Sequence, residues 1–215
     1  LNEQTAFEKI AYSYQKLGDY KNALSYYKKS ELFGTNMEWN YKKIALCYRV
    51  LNENEKSLEY YLKCEGLEPE NLYVQANIGH SYMRIKDFEG ALKHYFKVEY
   101  FAPSNNKILR PIAWCSFVLG KFDSSIKYYN KLILKNEANQ ADYIGLGNVY
   151  WCMQENERAV ETYRKGIALS PTNQTSFIKD FLDEKEFLVK HGILVFEIEL
   201  MLDFLFLDKL VLNIN

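Results

Sequence analysis

Apolar side chains recur along the chain with the spacing of α-helices rather than of β-strands. The stretch FEKIAYSY at residues 7–14 is followed by YKKIALCY at residues 41–48, with apolar residues in matching places. Residues three and four apart lie on one face of a helix, whereas a half-buried strand alternates apolar and polar positions. Each stretch therefore predicts an amphipathic helix, and the repetition predicts a periodic protein.

One constant period runs through five units without insertion or deletion. When each unit is numbered from 1 to 34, positions 8 and 20 are small, position 7 is aliphatic and position 24 is always tyrosine. The small residues at position 20 are Ala23, Ser57, Ala91, Ser125 and Ala159, and the tyrosines are Tyr27, Tyr61, Tyr95, Tyr129 and Tyr163. The apolar positions follow helical spacing in two blocks, so each unit is predicted to be a helical hairpin.

Turn residues separate the two helices of each unit. Position 15 is Gly18, Asn52, Lys86, Gly120 or Gln154, and glycine or asparagine there tolerates the left-handed backbone that follows many helices. Three prolines, Pro69, Pro103 and Pro171, stand at position 32. Because proline disrupts a helix interior, these positions predict where one hairpin ends and the next begins.

These features resemble the tetratricopeptide repeat, a 34-residue helix-turn-helix with small residues at 8 and 20, aromatic residues at 11 and 24, and proline at 32. Thr35 and Glu137 replace the proline, and Ser116 replaces the aromatic residue at position 11. The resemblance implies an all-α, right-handed α-solenoid. Its expected domain spans residues 1–173, with five repeats at about 4–37, 38–71, 72–105, 106–139 and 140–173. One hairpin cannot bury its apolar face alone, so neighbouring hairpins supply the core.

In this family, positions 2, 5, 9, 12 and 13 of the first helix face a concave, ligand-binding groove. The predicted groove residues are Tyr12, Trp39, Lys42, Arg49, Tyr73, Asn77, His80, Arg84, Lys107, Arg110, Trp114, Phe117, Asn148 and Trp151. Aromatic residues outside a core often anchor partners. With basic edges, such a groove would suit a peptide that is apolar and acidic or that ends in a carboxylate. The alternative is that some of these aromatic residues tuck against neighbouring repeats.

Part of this groove also resembles the carboxylate clamp of chaperone-binding family members. Lys42, Asn77 and Lys107 match three of its five positions, whereas Leu46 and Pro111 do not. Two of the five polar ligands would be absent, and much of the bidentate capture of a carboxylate would be lost with them. A chaperone C-terminal tail is therefore not the expected ligand.

Residues 174–215 are predicted to form a C-terminal helical pair, either a degenerate sixth repeat or a cap. The run ILVFEIELMLDFLFLDKLVL contains five charged residues, which are costly inside a bilayer, so it is not expected to span a membrane. Its apolar residues would form a homodimer or docking surface, or would fold onto the fifth hairpin. The surface residues are Phe196, Leu200, Phe204, Leu207 and Val211.

Composition narrows the function further. The 27 basic and 28 acidic residues nearly cancel, so nucleic acid is not an expected partner. No motif indicates catalysis, a metal or another cofactor, and the four scattered cysteines are expected to be reduced thiols. The sequence predicts a non-catalytic scaffold or adaptor. The alternatives are a structural oligomer or assembly subunit that docks through its C-terminal helix, and an interaction domain of a larger regulator or enzyme. The cytoplasm is slightly favoured, with a processed or exported form left open.

Overall fold

A computed structural model describes the backbone of residues 3–211 and the side chains of residues 3–206. This part of the chain contains thirteen α-helices and no β-strand, which confirms the predicted all-α class. The helices are α1 (Glu3–Lys16), α2 (Tyr20–Glu31), α3 (Met37–Val50), α4 (Asn54–Leu67), α5 (Leu72–Arg84), α6 (Phe88–Phe101), α7 (Leu109–Val118), α8 (Phe122–Leu134), α9 (Gln140–Cys152), α10 (Asn156–Leu169), α11 (Gln174–Asp183), α12 (Lys185–Lys190) and α13 (Val195–Val211).

Helices α1 to α10 pack as five hairpins, each formed by two consecutive helices. The residue at position 15 has a left-handed backbone in every hairpin, with φ between +60° and +79°. Gly18, Asn52 and Gly120 suit that conformation, whereas Lys86 and Gln154 adopt it against the preference of a side chain with a Cβ atom. The turn geometry is therefore a property of the repeat that persists where the residue type does not favour it.

The tyrosines at position 24 form the centre of the hairpin packing. All five are at most 2% exposed. At Gly147, which is position 8 of the fifth repeat, an added Cβ atom would lie 2.3 Å from Cε1 of Tyr163. Because carbon atoms cannot approach that closely, the Tyr163 ring in its present position fits only against a glycine at 147, and position 8 is no larger than alanine in the other repeats.

The chain divides into two compact units, Leu1–Asn105 and Asn106–Asn215. The first unit contains the first three hairpins. The second begins with a short 3₁₀ turn, Asn106–Ile108, and contains the last two hairpins together with α11, α12 and α13. This division differs from the predicted one at residues 173 and 174, because the C-terminal helices pack onto α7, α9 and α10 within the second unit.

Three helices stand in the C-terminal segment where a pair was predicted. The segment breaks at Glu184, between α11 and α12, and turns again at Gly192, whose φ is +97°. Phe177 and Phe181 on α11 are buried against Tyr163, and Leu188 on α12 is fully buried. The break at Glu184 lets α11 pack on the fifth hairpin while α12 packs on α7. None of the helices described between residues 3 and 211 has the length and apolarity needed to cross a membrane.

Candidate functional site

An aromatic surface with a small pocket lies on the first unit. Tyr12 on α1 is 42% exposed and Tyr73 on α5 is 54% exposed, while Trp39 on α3 is half-buried with its ring edge-on to Tyr27. The pocket has a volume of about 270 Å³, and its lining is Trp39, Lys42, Lys43, Leu46, Asn71 and Tyr73. Residues of the second and third repeats therefore line one pocket, and the predicted groove residues Trp39, Lys42 and Tyr73 are among them.

Positive charges surround this aromatic surface. The ammonium group of Lys43 lies 5.6 Å from the ring centroid of Tyr12 and 5.4 Å from that of Trp39, and the ammonium group of Lys16 lies 5.2 Å from the Tyr12 ring. Within the part of the chain whose side chains are described, Lys16, Lys43 and Arg84 form no ion pair. Lys16 and Lys43 thus lie near the aromatic rings without a carboxylate to neutralise them, whereas Arg84 acts on His80.

Lys42 and Asn77 differ from those cations, because both already have partners inside the unit. Lys42 forms salt bridges with Glu38 and Glu68. Asn77 is buried, accepts a hydrogen bond of 2.6 Å from Nη1 of Arg49 and donates one of 2.7 Å to a backbone carbonyl oxygen. Their match to a carboxylate clamp therefore reflects structural roles, and Asn77 is corrected from a groove ligand to a support for Arg49.

The pKa of His80 reflects the positive charges near it on the same face. Its Nδ1 atom shares a 2.7 Å hydrogen bond with the hydroxyl group of Tyr95. Burial lowers the pKa of His80, and the guanidinium groups of Arg49 and Arg84 lower it further because they disfavour a second positive charge. The imidazole is therefore neutral near pH 7, and the face carries a positive potential.

The hydroxyl groups of the tyrosine column reach polar residues on the first helix of their own repeat. Tyr27 donates to Gln15 at 2.8 Å and Tyr163 donates to Asn148 at 2.7 Å. In the second repeat the residue at position 9 is Leu46, which offers no polar atom to the buried hydroxyl group of Tyr61, and this hydroxyl group faces Tyr73 of the next repeat instead. The pocket lined by Leu46 thus belongs to the repeat in which the tyrosine lacks a polar contact at position 9.

Helices of the C-terminal segment cover the aromatic residues of the second unit. The centroids of Trp114 and Phe187 are 5.4 Å apart, those of Phe117 and His191 are 5.4 Å apart, and Trp151 stacks on a phenylalanine of α11. Phe117 is fully buried and Trp151 is 7% exposed. The prediction of an open groove is wrong for Trp114, Phe117 and Trp151, because α11 and α12 occupy that position. The alternative of tucked aromatic residues holds here.

Hydrogen bonds fix α12 in this position. The indole Nε1 of Trp114 donates to both carboxylate oxygens of Glu184, at 2.9 and 3.1 Å. Nε2 of His191 donates to the backbone oxygen of Phe117 at 2.9 Å. The ammonium group of Lys190 donates to the backbone oxygen of Val118 at 3.3 Å. Burial raises the pKa of Glu184 to about 7, and Asp183 adds repulsion, whereas the hydrogen bond from Trp114 opposes the rise.

Of the remaining predicted residues of the second unit, two bond to other side chains of the same unit and one is exposed. Arg110 forms a two-pronged pair with the buried carboxylate of Asp142, at 2.7 and 2.8 Å. Asn148 is fully buried and receives the Tyr163 hydroxyl group, so it is not available to a partner. Lys107 is exposed. Some predicted groove residues of the first unit, such as Tyr12 and Tyr73, are thus exposed, whereas most of those on the second unit are buried or paired.

The predicted docking surface of the last helix is partly visible. Phe196, Leu200 and Phe204 are each more than half exposed. Leu207 and Val211 lie outside the residues whose side chains are described. Exposed apolar residues on one helix are consistent with a docking surface, and they do not by themselves say what covers it.

Potential metal ligands do not cluster in the described part of the chain. No group of three His, Cys, Asp or Glu side chains there could hold a metal ion. Burial raises the pKa of the Cys47 and Cys152 thiols to about 12 and that of Cys64 to about 11. Thiols with such pKa values stay protonated near neutral pH and are poor nucleophiles.

Comparison with known proteins agrees with this architecture. The tetratricopeptide repeat model matches residues 5–31, 41–71 and 143–173, which lie in the first, second and fifth repeats. The chain is a tetratricopeptide repeat protein. Its fold class, an all-α solenoid of such hairpins, is confirmed. No curated protein matches the sequence.

Solved structures share the fold at low sequence identity. A structure of MamA from Desulfovibrio magneticus has 17% identity and a TM-score of 0.74, with 80% of this chain and 97% of that chain covered. A tetratricopeptide repeat protein from Parabacteroides merdae has 19% identity and a TM-score of 0.64, with 93% of this chain and 83% of that chain covered. At such identities, the likeness extends to the fold alone.

Two residues that matter to this tetratricopeptide repeat protein were missed from the sequence. Lys43 lines the pocket of the first unit, although it stands at position 6, which is outside the five groove positions and entered the prediction only at Asn77. Its spacing of four residues from Trp39 was the available signal, since such residues share a helix face. Glu184 was also missed, because its partner Trp114 is 70 residues away in the chain and no repeat relates the two.

Proposed function

We propose that this tetratricopeptide repeat protein is a non-catalytic scaffold whose first unit binds an acidic segment of a partner protein that carries an aromatic or large apolar residue. Tetratricopeptide repeats support the coarser statement of a protein-interaction scaffold. The observation that carries the finer proposal is that Lys16 and Lys43, which lack ion pairs, lie over the rings of Tyr12 and Trp39 on this surface.

The pocket suggests that one side chain of the ligand anchors it while neighbouring carboxylates are attracted by the lysines. A pocket of about 270 Å³ is too small for a peptide but admits one side chain, and its aromatic walls favour an apolar or aromatic one. Lys43 and the neighbouring cations would attract carboxylates that flank this anchor. Exposed charges contribute more to the association rate than to affinity, so the aromatic pocket is expected to supply most of the binding free energy.

The second unit provides an internal analogy. There Glu184 accepts the indole hydrogen bond of Trp114, and Phe187, three residues later, packs against the same ring. An acidic residue and an aromatic residue on one helical turn thus cover an inner-face tryptophan. A partner segment with the same two features is the ligand class we propose for Trp39 of the first unit.

The experiment is a selection of displayed random peptides on the full chain. We expect enrichment of sequences that combine aspartate or glutamate with phenylalanine, tyrosine, tryptophan or leucine. The double variant Lys16→Glu with Lys43→Glu should lose these peptides. The matched control is Lys21→Glu with Lys93→Glu, which changes the same net charge at exposed positions of α2 and α6 and should retain them. Equal capture by both double variants, or enrichment without acidic residues, would refute the proposal.

A further inference from the structure

A second groove lies between α10 and α13, entirely within the second unit. Its volume is about 1150 Å³. Val160 and Ala168 line it from α10, Leu200 and Phe204 line it from α13, and Trp151 contributes an almost buried ring. Leu200 and Phe204 stay 58% and 53% exposed although they stand between two helices. The described part of the chain therefore leaves an apolar surface uncovered.

The charges around this groove are unbalanced in favour of acids. Glu157 and Glu161 on α10, and Glu197 and Asp203 on α13, line it together with two basic residues, Arg164 and Lys165. Glu161 and Lys165 neutralise each other at 2.7 Å. The guanidinium group of Arg164 lies 5.6 Å from the ring centroid of Phe204. Among the lining residues whose side chains are described, carboxylates thus stand on both walls, with an excess of two negative charges.

The size and shape of the groove favour a helix as its occupant. Pockets that enclose small ligands measure about 300–1,000 Å³, and this groove is larger and bounded by two helices. An apolar base with charged edges is the surface that receives the apolar face of an amphipathic helix. Carboxylates on both walls would then pair with basic residues on both flanks of that helix.

We infer that the α10/α13 groove is a docking site for a basic amphipathic helix of a partner protein. The apolar stripe of the partner helix packs on Val160, Leu200 and Phe204. Its lysine or arginine residues face Glu157 and Asp203. This site requires the opposite ligand charge from the first unit, so it does not depend on the function proposed above.

The test uses a synthetic helical peptide of about 18 residues, or five helical turns, made of leucine and lysine with leucine at every third or fourth position. A peptide of the same pattern with glutamate in place of lysine is the comparison. Both carry a fluorophore, and their binding to the full chain is followed by fluorescence anisotropy. The indole N–H signal of Trp151 in an NMR spectrum, assigned with Trp151→Phe, reports whether the peptide is in the groove.

We expect the lysine peptide to bind and to shift the Trp151 signal, while the glutamate peptide does not. The double variant Glu157→Lys with Asp203→Lys should weaken binding of the lysine peptide at least about tenfold, as should Leu200→Ser with Phe204→Ser. The matched control is Asp123→Lys with Glu199→Lys. It makes the same charge change at an exposed first-turn position of α8 and at an exposed position of α13 outside the groove, and it should leave binding within about twofold. The effect should shrink at high salt, because the charges are exposed.

Three results would overturn the inference. Equal binding of both peptides would show that charge does not select the ligand, and equal loss in the charge variant and its control would place the contact elsewhere. Absence of peptide binding, together with a concentration-dependent dimer that Leu200→Ser disrupts, would make a second copy of the chain the occupant. Circular dichroism and thermal unfolding of each variant confirm that it is folded, which the exposure of all four substituted groove residues leads us to expect.

Discussion

The buried carboxylate of Glu184 makes the stability of the second unit depend on pH in a direction opposite to that of most acidic residues. It joins α11 to α12, accepts the indole N–H of Trp114 and has its pKa raised to about 7, mainly by burial and in part by Asp183. An unfolded chain would ionise the same group near its ordinary value of 4.5. Between these values the folded chain retains a proton that the unfolded chain has released.

The free energy of unfolding should therefore fall as pH rises from 4.5 to about 7, and Glu184 should add no further change outside this window. One proton contributes about 1.4 kcal/mol per pH unit, so the full interval gives a ceiling of about 3 kcal/mol. The side chain is partly exposed, and solvent screening reduces the effect, so we expect about 2 kcal/mol.

The assay is urea-induced unfolding of the wild-type chain and of Glu184→Gln between pH 5 and pH 8. Glutamine keeps an oxygen that can accept the Trp114 N–H and carries no charge. The two proteins should be about equally stable at pH 5, where the wild-type carboxyl group is protonated. At pH 8 the variant should be more stable by about 2 kcal/mol, which is the linkage expected for this carboxyl group.

Comparison with a neutral variant isolates this group from the histidines, whose folded-state pKa values are lowered by burial. Their effect has the opposite sign, since stability is lost as pH falls through a lowered pKa, and it cancels in the difference. Glu199→Gln, an exposed change on α13, should show no such pH dependence. A difference between wild type and Glu184→Gln that stays constant from pH 5 to pH 8 would refute the burial of this carboxylate.

Two further predictions concern the packing of the repeats, both measured as free energies of unfolding in urea. Gly147→Ala should destabilise the chain by about 1–3 kcal/mol, because the new methyl group meets the Tyr163 ring at 2.3 Å. The control, Gly66→Ala, has no atom within 4 Å of its new Cβ and should stabilise α4 by up to about 1 kcal/mol. Equal effects of the two substitutions on stability would refute the close approach of Tyr163 to Gly147. Tyr163→Phe should cost about 1–3 kcal/mol because it leaves Asn148 buried without its donor. Unchanged stability of this variant would refute the hydrogen bond.

The repeat architecture was predictable because its determinants are local and recur. The small residue at position 8, the tyrosine at position 24 and the left-handed residue at position 15 each act within a single hairpin. Tyr163 against Gly147 is such a contact, since the helices that carry the two residues, α10 and α9, are consecutive in the chain. Lys86 and Gln154 show the limit of residue preference, because the hairpin imposes a left-handed turn on residues that do not favour it.

The predicted groove fails on the second unit because the C-terminal segment leaves the repeat. Nothing in the register of the repeats relates Glu184 or Phe187 to Trp114, so the sequence could not show that α12 covers this tryptophan. A helical-wheel argument places Trp39 and Trp114 on equivalent faces, and the difference between them is made by a tertiary contact. The break between α11 and α12 has the same origin, since it serves the packing of Leu188 rather than a local signal.

The chain contains three tryptophans, and their indole N–H signals offer the most direct test of the central claim. Each signal is assigned with a tryptophan-to-phenylalanine variant, and an acidic, aromatic peptide obtained from the selection is then titrated into the labelled full chain. The account predicts that the signal of Trp39 shifts while those of Trp114 and Trp151 stay in place, because α11 and α12 already cover the latter two. A shift of Trp114 or Trp151 with Trp39 unmoved would contradict the account and place the partner site on the second unit.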